Sequence, residues 1–128
     1  MKKCPVVHFE LPYKDGKRVS EFYSKVFGWD MMMLGPEMSN YILAGTTETE
    51  NMVPTKPGAI NGGLFQAEED HKNPLITISV EDINKSMEMV KEAGGKIING
   101  PHEIQGVGLY VAFEDSEGNR TSLLQPNS

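Results

Sequence analysis

The chain has 128 residues and a formal net charge of −6, from 18 Asp and Glu against 12 Lys and Arg. That length suffices for one domain with a core of its own. No more than two basic residues are adjacent, which excludes the concentrated basic footprint of a nucleic-acid-binding protein. No apolar run approaches the roughly 20 residues of a membrane span. Cys4 is the single cysteine, so no intrachain disulfide forms and a cytoplasmic location is expected.

The basic start Met1-Lys2-Lys3 runs into a segment carrying His8, Glu10 and Lys14, which reads as a strand and not as a signal-peptide core. Residues 5–12 (PVVHFELP) alternate and form the first strand. Asp15-Gly16 makes a turn. Val19, Phe22, Tyr23 and Val26 follow at helical spacing, and Gly28 stops the helix. Residues 29–34 and 40–44 read as strands around Gly35-Pro36. Residues 45–58 show no period and are expected as a long loop. Residues 59–67 read as a strand containing Gly62-Gly63, and glycines inside a strand indicate a bulge or a close approach by another group.

Residues 68–73 (EEDHKN) form a polar crossover, in which His71 is expected to be solvated. Residues 75–80 are a strand. Glu81-Asp82 opens a helix carrying Ile83, Met87 and Val90 on one side, closed by Gly94-Gly95. Residues 96–98 are a short strand, and residues 99–106 a loop containing His102. Residues 107–114 are a strand, 115–119 a turn, and 120–125 the last strand, ended by Pro126.

The strand–helix unit is written twice, with His8 matching Leu75, Val26 matching Ala93 and Gly28 matching Gly95. The expected fold is α+β: a single domain over 1–128 made of two tandem βαβββ modules, about 4–67 and 74–126. Their sheets join into an open, curled mixed sheet with a barrel-like cavity inside and the helices outside. Alternation puts Val7, Phe9, Leu11, Ile76, Ile78, Val80, Leu109, Val111 and Phe113 under the helices. It puts His8, Glu10, Leu75, Thr77, Ser79, Tyr110 and Ala112 on the concave face.

Several segments carry a resemblance. They are His8-Phe9-Glu10, residues 21–29 (EFYSKVFGW), 78–83 (ISVEDI), 92–96 (EAGGK) and 115–119 (DSEGN), in this order and spacing. With them the chain resembles the glyoxalase / bleomycin-resistance / extradiol-dioxygenase superfamily, the vicinal oxygen chelate proteins. The resemblance implies a homodimer that takes a small-molecule ligand. It also implies a divalent metal bound by residues from the first and last strands of each half. Those positions fall on His8, on Leu75, near Asn61 to Gly63 and on Ser122. His8 alone is a strong ligand, whereas a divalent site wants about three. No cofactor is therefore expected; a divalent metal held through His8, with help from Glu10 or a partner chain, is the alternative. Gln125 does not rescue the site, because alternation points it away from Ser122.

His8 and Glu10 share a strand face and form a candidate acid–base or anchoring pair, with Glu10 expected to raise the His8 pKa. Thr77, Tyr110, Ser122 and His102 are candidate ligand contacts. The plainer readings are a hydrogen-bonded strand histidine for His8, a strand aromatic for Tyr110, and adaptable core filler for Met31-Met32-Met33. No serine has a nucleophile-elbow context, and Cys4 reads as a bystander. The function expected is binding of a small apolar or aromatic molecule without a complete metal site. One alternative is a lyase, isomerase or dioxygenase using a metal or the His8/Glu10 pair; another is a dimeric interaction module.

Overall fold

The computed structural model describes residues 1–127 and divides into two compact units. The first runs from His8 to Pro74; the second combines Met1–Val7 with the chain from Leu75 onward. The N-terminal residues join the second unit because Pro5 O accepts from Ser79 N at 2.9 Å.

In the first unit the order is β1 (Val6–Tyr13, within the unit from His8), α1 (Gly16–Phe27), β2 (Asp30–Met33), β3 (Ile42–Gly45), a β4–β5 hairpin (Thr49–Glu50 and Val53–Pro54) and β6 (Gly62–Gln66). The sheet order is β2-β3-β6-β1. Strands β1 and β6 are parallel and the other pairs antiparallel, so the sheet is mixed and open. Asp15 caps α1 by accepting from Arg18 N at 3.0 Å, and Gly28 ends it at φ 71°. The side chains of Tyr13, Ile42, Ala44 and Leu64 are buried, with Phe9, Leu11, Val19, Tyr23, Trp29 and Met31 packed on them. Trp29 stacks on Tyr23 at 4.6 Å. Only Val19 and Tyr23 of the expected helical stripe reach this core; Phe22 and Val26 remain exposed.

In the second unit the order is β7 (Leu75–Ser79), α2 (Ile83–Glu92), β8 (Lys96–Ile104), β9 (Gly108–Glu114) and β10 (Arg120–Pro126). The sheet order is β7-β10-β9-β8, with β7 and β10 parallel. Asp82 caps α2 by accepting from Lys85 N at 3.1 Å. Val80, Ile83, Val111, Phe113 and Leu123 form the buried core. In the turn before β10, hydrogen bonds from the Asn119 side chain and backbone hold the Asp115 carboxyl below the usual carboxylate range. The expected α+β class and the twofold strand–helix order are both present.

Four local expectations are corrected. The stretch 45–58 contains the β4–β5 hairpin, turned through Asn51 and Met52 at φ 52° and 66°. The short strand at 96–98 extends to Ile104, so His102 lies in a strand, paired with Tyr110, and not in a loop. Gly100, at φ 104°, absorbs the register shift and lets pairing resume; a Cβ there would lie 2.7 Å from Tyr110 O. Val7 and Ile76 are 36% and 45% exposed and lie outside the helix-packed clusters. Alternation assigned their side, but not whether a helix reaches their row. Finally, of the three consecutive methionines only Met31 packs in the core; Met32 and Met33 are exposed. Among the described residues, no helix is long and apolar enough to cross a membrane.

Candidate functional site

Phe9 and Leu11 pack on the α1 side of the first unit's sheet, so alternation turns His8 and Glu10 to the other side. Glu10 is buried and His8 half-buried. Tyr41, just before β3, lies between them. Its hydroxyl donates to Glu10 Oε2 at 2.7 Å and is 3.0 Å from His8 Nε2. A hydrogen bond to a charged acceptor is worth about 1.5–3 kcal/mol.

Gly63 explains how the phenol gets there. In the order β3-β6-β1, Tyr41 must cross β6 to reach β1. Gly63 is paired with Leu43 on one side and Glu10 on the other. A Cβ at Gly63 would lie 2.0 Å from Tyr41 Oη. The neighbouring Gly62 serves the opposite face in the same way, where a Cβ would lie 2.4 Å from the Phe9 ring. The glycine pair is thus a double close approach by aromatic rings.

The His8 pKa is lowered from 6.5, opposite to expectation. Burial lowers it, and the attraction of Glu10, which raises it, is the smaller effect. His71, expected to be solvated, is half-buried and stacks on Phe65 at 4.0 Å with planes 9° apart.

In the second unit, Thr77, Ser122 and Ala112 form one lateral row on the face away from α2, and all three are buried. Ser122 Oγ donates to Ile76 O at 3.2 Å and lies 2.9 Å from Thr77 Oγ1. Tyr110 pairs laterally with Leu124 and His102, and His102 is exposed. Gln125 points to the helix side, where its Oε1 accepts from Ile83 N at 2.8 Å.

The donor set does not fit a divalent metal. Of the implied positions, His8 already faces the Tyr41 phenol, Leu75 is a buried alkyl group, and the Ser122 hydroxyl is hydrogen-bonded within its own sheet. Asn61 Oδ1 is occupied by Thr46 N and Thr47 N at 2.8 and 3.2 Å. Among the described residues, no three His, Cys, Asp or Glu side chains group to hold an ion. Sequence reasoning paired His8 with Glu10 but missed Tyr41; Gly63 was its only signal.

The family model described as Glyoxalase/Bleomycin resistance protein/Dioxygenase superfamily matches residues 6–123. A lactoylglutathione lyase of Arabidopsis thaliana is 31% identical over 124 residues, covering 93% of this chain and 43% of that protein. The chain thus spans less than half the length of the plant relatives it matches. A probable lactoylglutathione lyase of Vibrio cholerae is 26% identical, covering 98% of this chain and 93% of that one. Among solved structures, a Streptomyces coelicolor methylmalonyl-CoA epimerase superposes with a TM-score of 0.71 at 13% identity, over 99% of this chain and 97% of that one. A hypothetical protein from Bacillus halodurans superposes at 0.70 with 17% identity, over 99% and 97%. At such identities these two establish the fold alone.

Proposed function

Since the chain belongs to the glyoxalase/bleomycin resistance protein/dioxygenase superfamily, we propose that it is a lyase or isomerase acting on a small carbonyl compound by proton transfer. The observation that carries this reading is the His8–Tyr41–Glu10 array on the helix-free face of the first unit. It joins a carboxylate, a phenol and an imidazole, three groups able to accept or donate a proton. Glu10 takes the proton from the carbon next to the carbonyl, its carboxylate held in place by the Tyr41 hydroxyl. The electron pair moves onto the carbonyl oxygen as an enolate, and the proton returns to carbon from Glu10. No step runs through a metal, because the donor set does not fit one.

The names of the relatives support a substrate class. Lactoylglutathione and methylmalonyl-CoA are both thioesters of small 2-substituted acids. Such thioesters are the first compounds to incubate with the protein in D2O, following loss of the C–H signal by proton NMR. Exchange is expected, and Glu10→Gln should slow it by about 10²- to 10⁴-fold. Exchange unaffected by Glu10→Gln would overturn the reading.

A second reading is a protein that binds a small apolar or aromatic molecule without transforming it. It is favoured by the second unit's row of Thr77, Ser122 and Ala112, where no side chain is suited to moving a proton. It predicts saturable ligand uptake in calorimetry with no exchange in any compound bound. A pure interaction module predicts neither. With either small-molecule reading we also propose a cytoplasmic homodimer, which sedimentation of the purified chain tests in its oligomeric part.

A further inference from the structure

We infer that Tyr41 is a positioning residue that fixes the protonation pattern of His8 and Glu10, and that Gly63 is the gap through which it works. The inference deepens the proposed function and names how its acid–base pair is arranged. A phenol carries a single proton. Tyr41 donates it to Glu10 Oε2 at 2.7 Å, so toward His8 the phenol oxygen acts as acceptor. The proton of that second contact, 3.0 Å long, therefore sits on His8 Nε2. Neutral His8 is then the Nε2–H tautomer, with its lone pair on Nδ1. The direction of each bond follows from the one before it.

The arrangement depends on a ring lying flat across β6. A Cβ at residue 63 would stand 2.0 Å from Tyr41 Oη and 2.2 Å from two further atoms of that side chain. Atoms that close cannot coexist, so any side chain at 63 expels the phenol from between His8 and Glu10. Gly63 is itself buried and paired on both edges, so its strand cannot move aside without breaking the ladder. The same placement sets the phenol against His8 Nε2 and engages that nitrogen in the hydrogen-bond chain.

The test is the two-bond 1H–15N correlation spectrum of His8 in the full-length protein, at a pH where the ring is neutral. The expected pattern has Nε2 at a protonated, pyrrole-like shift and Nδ1 at an unprotonated, pyridine-like one. Tyr41→Phe keeps the ring and should lose the single-tautomer pattern, giving averaged shifts. Gly63→Ala should reproduce the Tyr41→Phe spectrum although it leaves Tyr41 in the sequence; if that variant does not fold, Tyr41→Phe alone decides. Wild-type His8 as the Nδ1–H tautomer, or an unchanged spectrum in Tyr41→Phe, overturns the inference. If proton exchange is found, Tyr41→Phe should lower kcat by on the order of 10²-fold with KM nearly constant, the loss a misplaced acid–base group produces. The spectrum needs no substrate, so a protein with the expected tautomer and no exchange keeps this inference and discards the proposed function.

Discussion

Substituting His8→Gln removes one titrating ring from the first unit, and its consequence for stability has a defined sign. His8 titrates below its ordinary value of 6.5 in the folded chain because burial outweighs the attraction of Glu10. Between the folded value and 6.5 the unfolded chain therefore binds more protons than the folded one. Stability linked to His8 is fully present above 6.5 and is lost as the pH falls through that window. For one group the slope cannot exceed about 1.4 kcal/mol per pH unit. Urea unfolding of wild type and His8→Gln, from about pH 8 down to about pH 5.5, gives the difference directly. The other histidines, His71 and His102, are common to both proteins and cancel. Wild type should lose ground relative to His8→Gln as the solution is acidified. A flat difference would refute burial as the governing effect. A difference of opposite sign would mean that Glu10 dominates and that His8 is held charged.

Three further outcomes are expected. Ile83→Ala, in the second unit, removes a side chain with no exposure and should lower stability by about 2–5 kcal/mol, read as a lower urea midpoint at unchanged m. Gln125→Ala leaves the first N–H of α2 without its side-chain acceptor and should lower stability by about 1–3 kcal/mol by the same assay. Elemental analysis of purified protein should find no stoichiometric Zn, Ni, Fe or Mn; close to one metal per chain, lost together with activity on chelation, would refute the ligand argument.

What the sequence made legible was whatever a local signal specifies. Gly28 was read as the end of α1 and the structure puts the left-handed turn there, while Asp15, read as part of a turn, caps the helix start. Gln125 was assigned to the helix side by alternation alone, and it is found bonded to α2. One misreading comes from a breaker that does not break. Gly100-Pro101 reads as the end of a strand, yet Gly100 takes up the irregularity and β8 continues through His102. Met52 gives no turn signal, and it nevertheless occupies a positive-φ turn position. Tyr41 was hidden for a different reason. Its partners lie more than thirty residues away along the chain, two strands across the sheet. Only the absence of a side chain at Gly63 recorded its presence.

The two strand–helix units agree in what shapes the backbone and differ in what carries chemistry. Asp15 and Asp82 occupy matching positions, and each accepts from the N–H three residues on, at Arg18 and Lys85. A helix start has only a few solutions, since an N-cap must satisfy one of the first free N–H groups. The first residue of the match obeys no such constraint. It is His8 in one copy, hydrogen-bonded to a phenol, and Leu75 in the other, a buried alkyl side chain. The same divergence appears in the central strands. Gly63 in β6 makes room for an aromatic donor, while Ser122 in β10 closes its own hydrogen bonds locally, to Ile76 O and Thr77. A metal centre drawing ligands evenly from two copies needs the chemical positions repeated, and here only the structural ones are. An acid–base array assembled within one copy needs no such symmetry. That is the arrangement formed by His8, Tyr41 and Glu10.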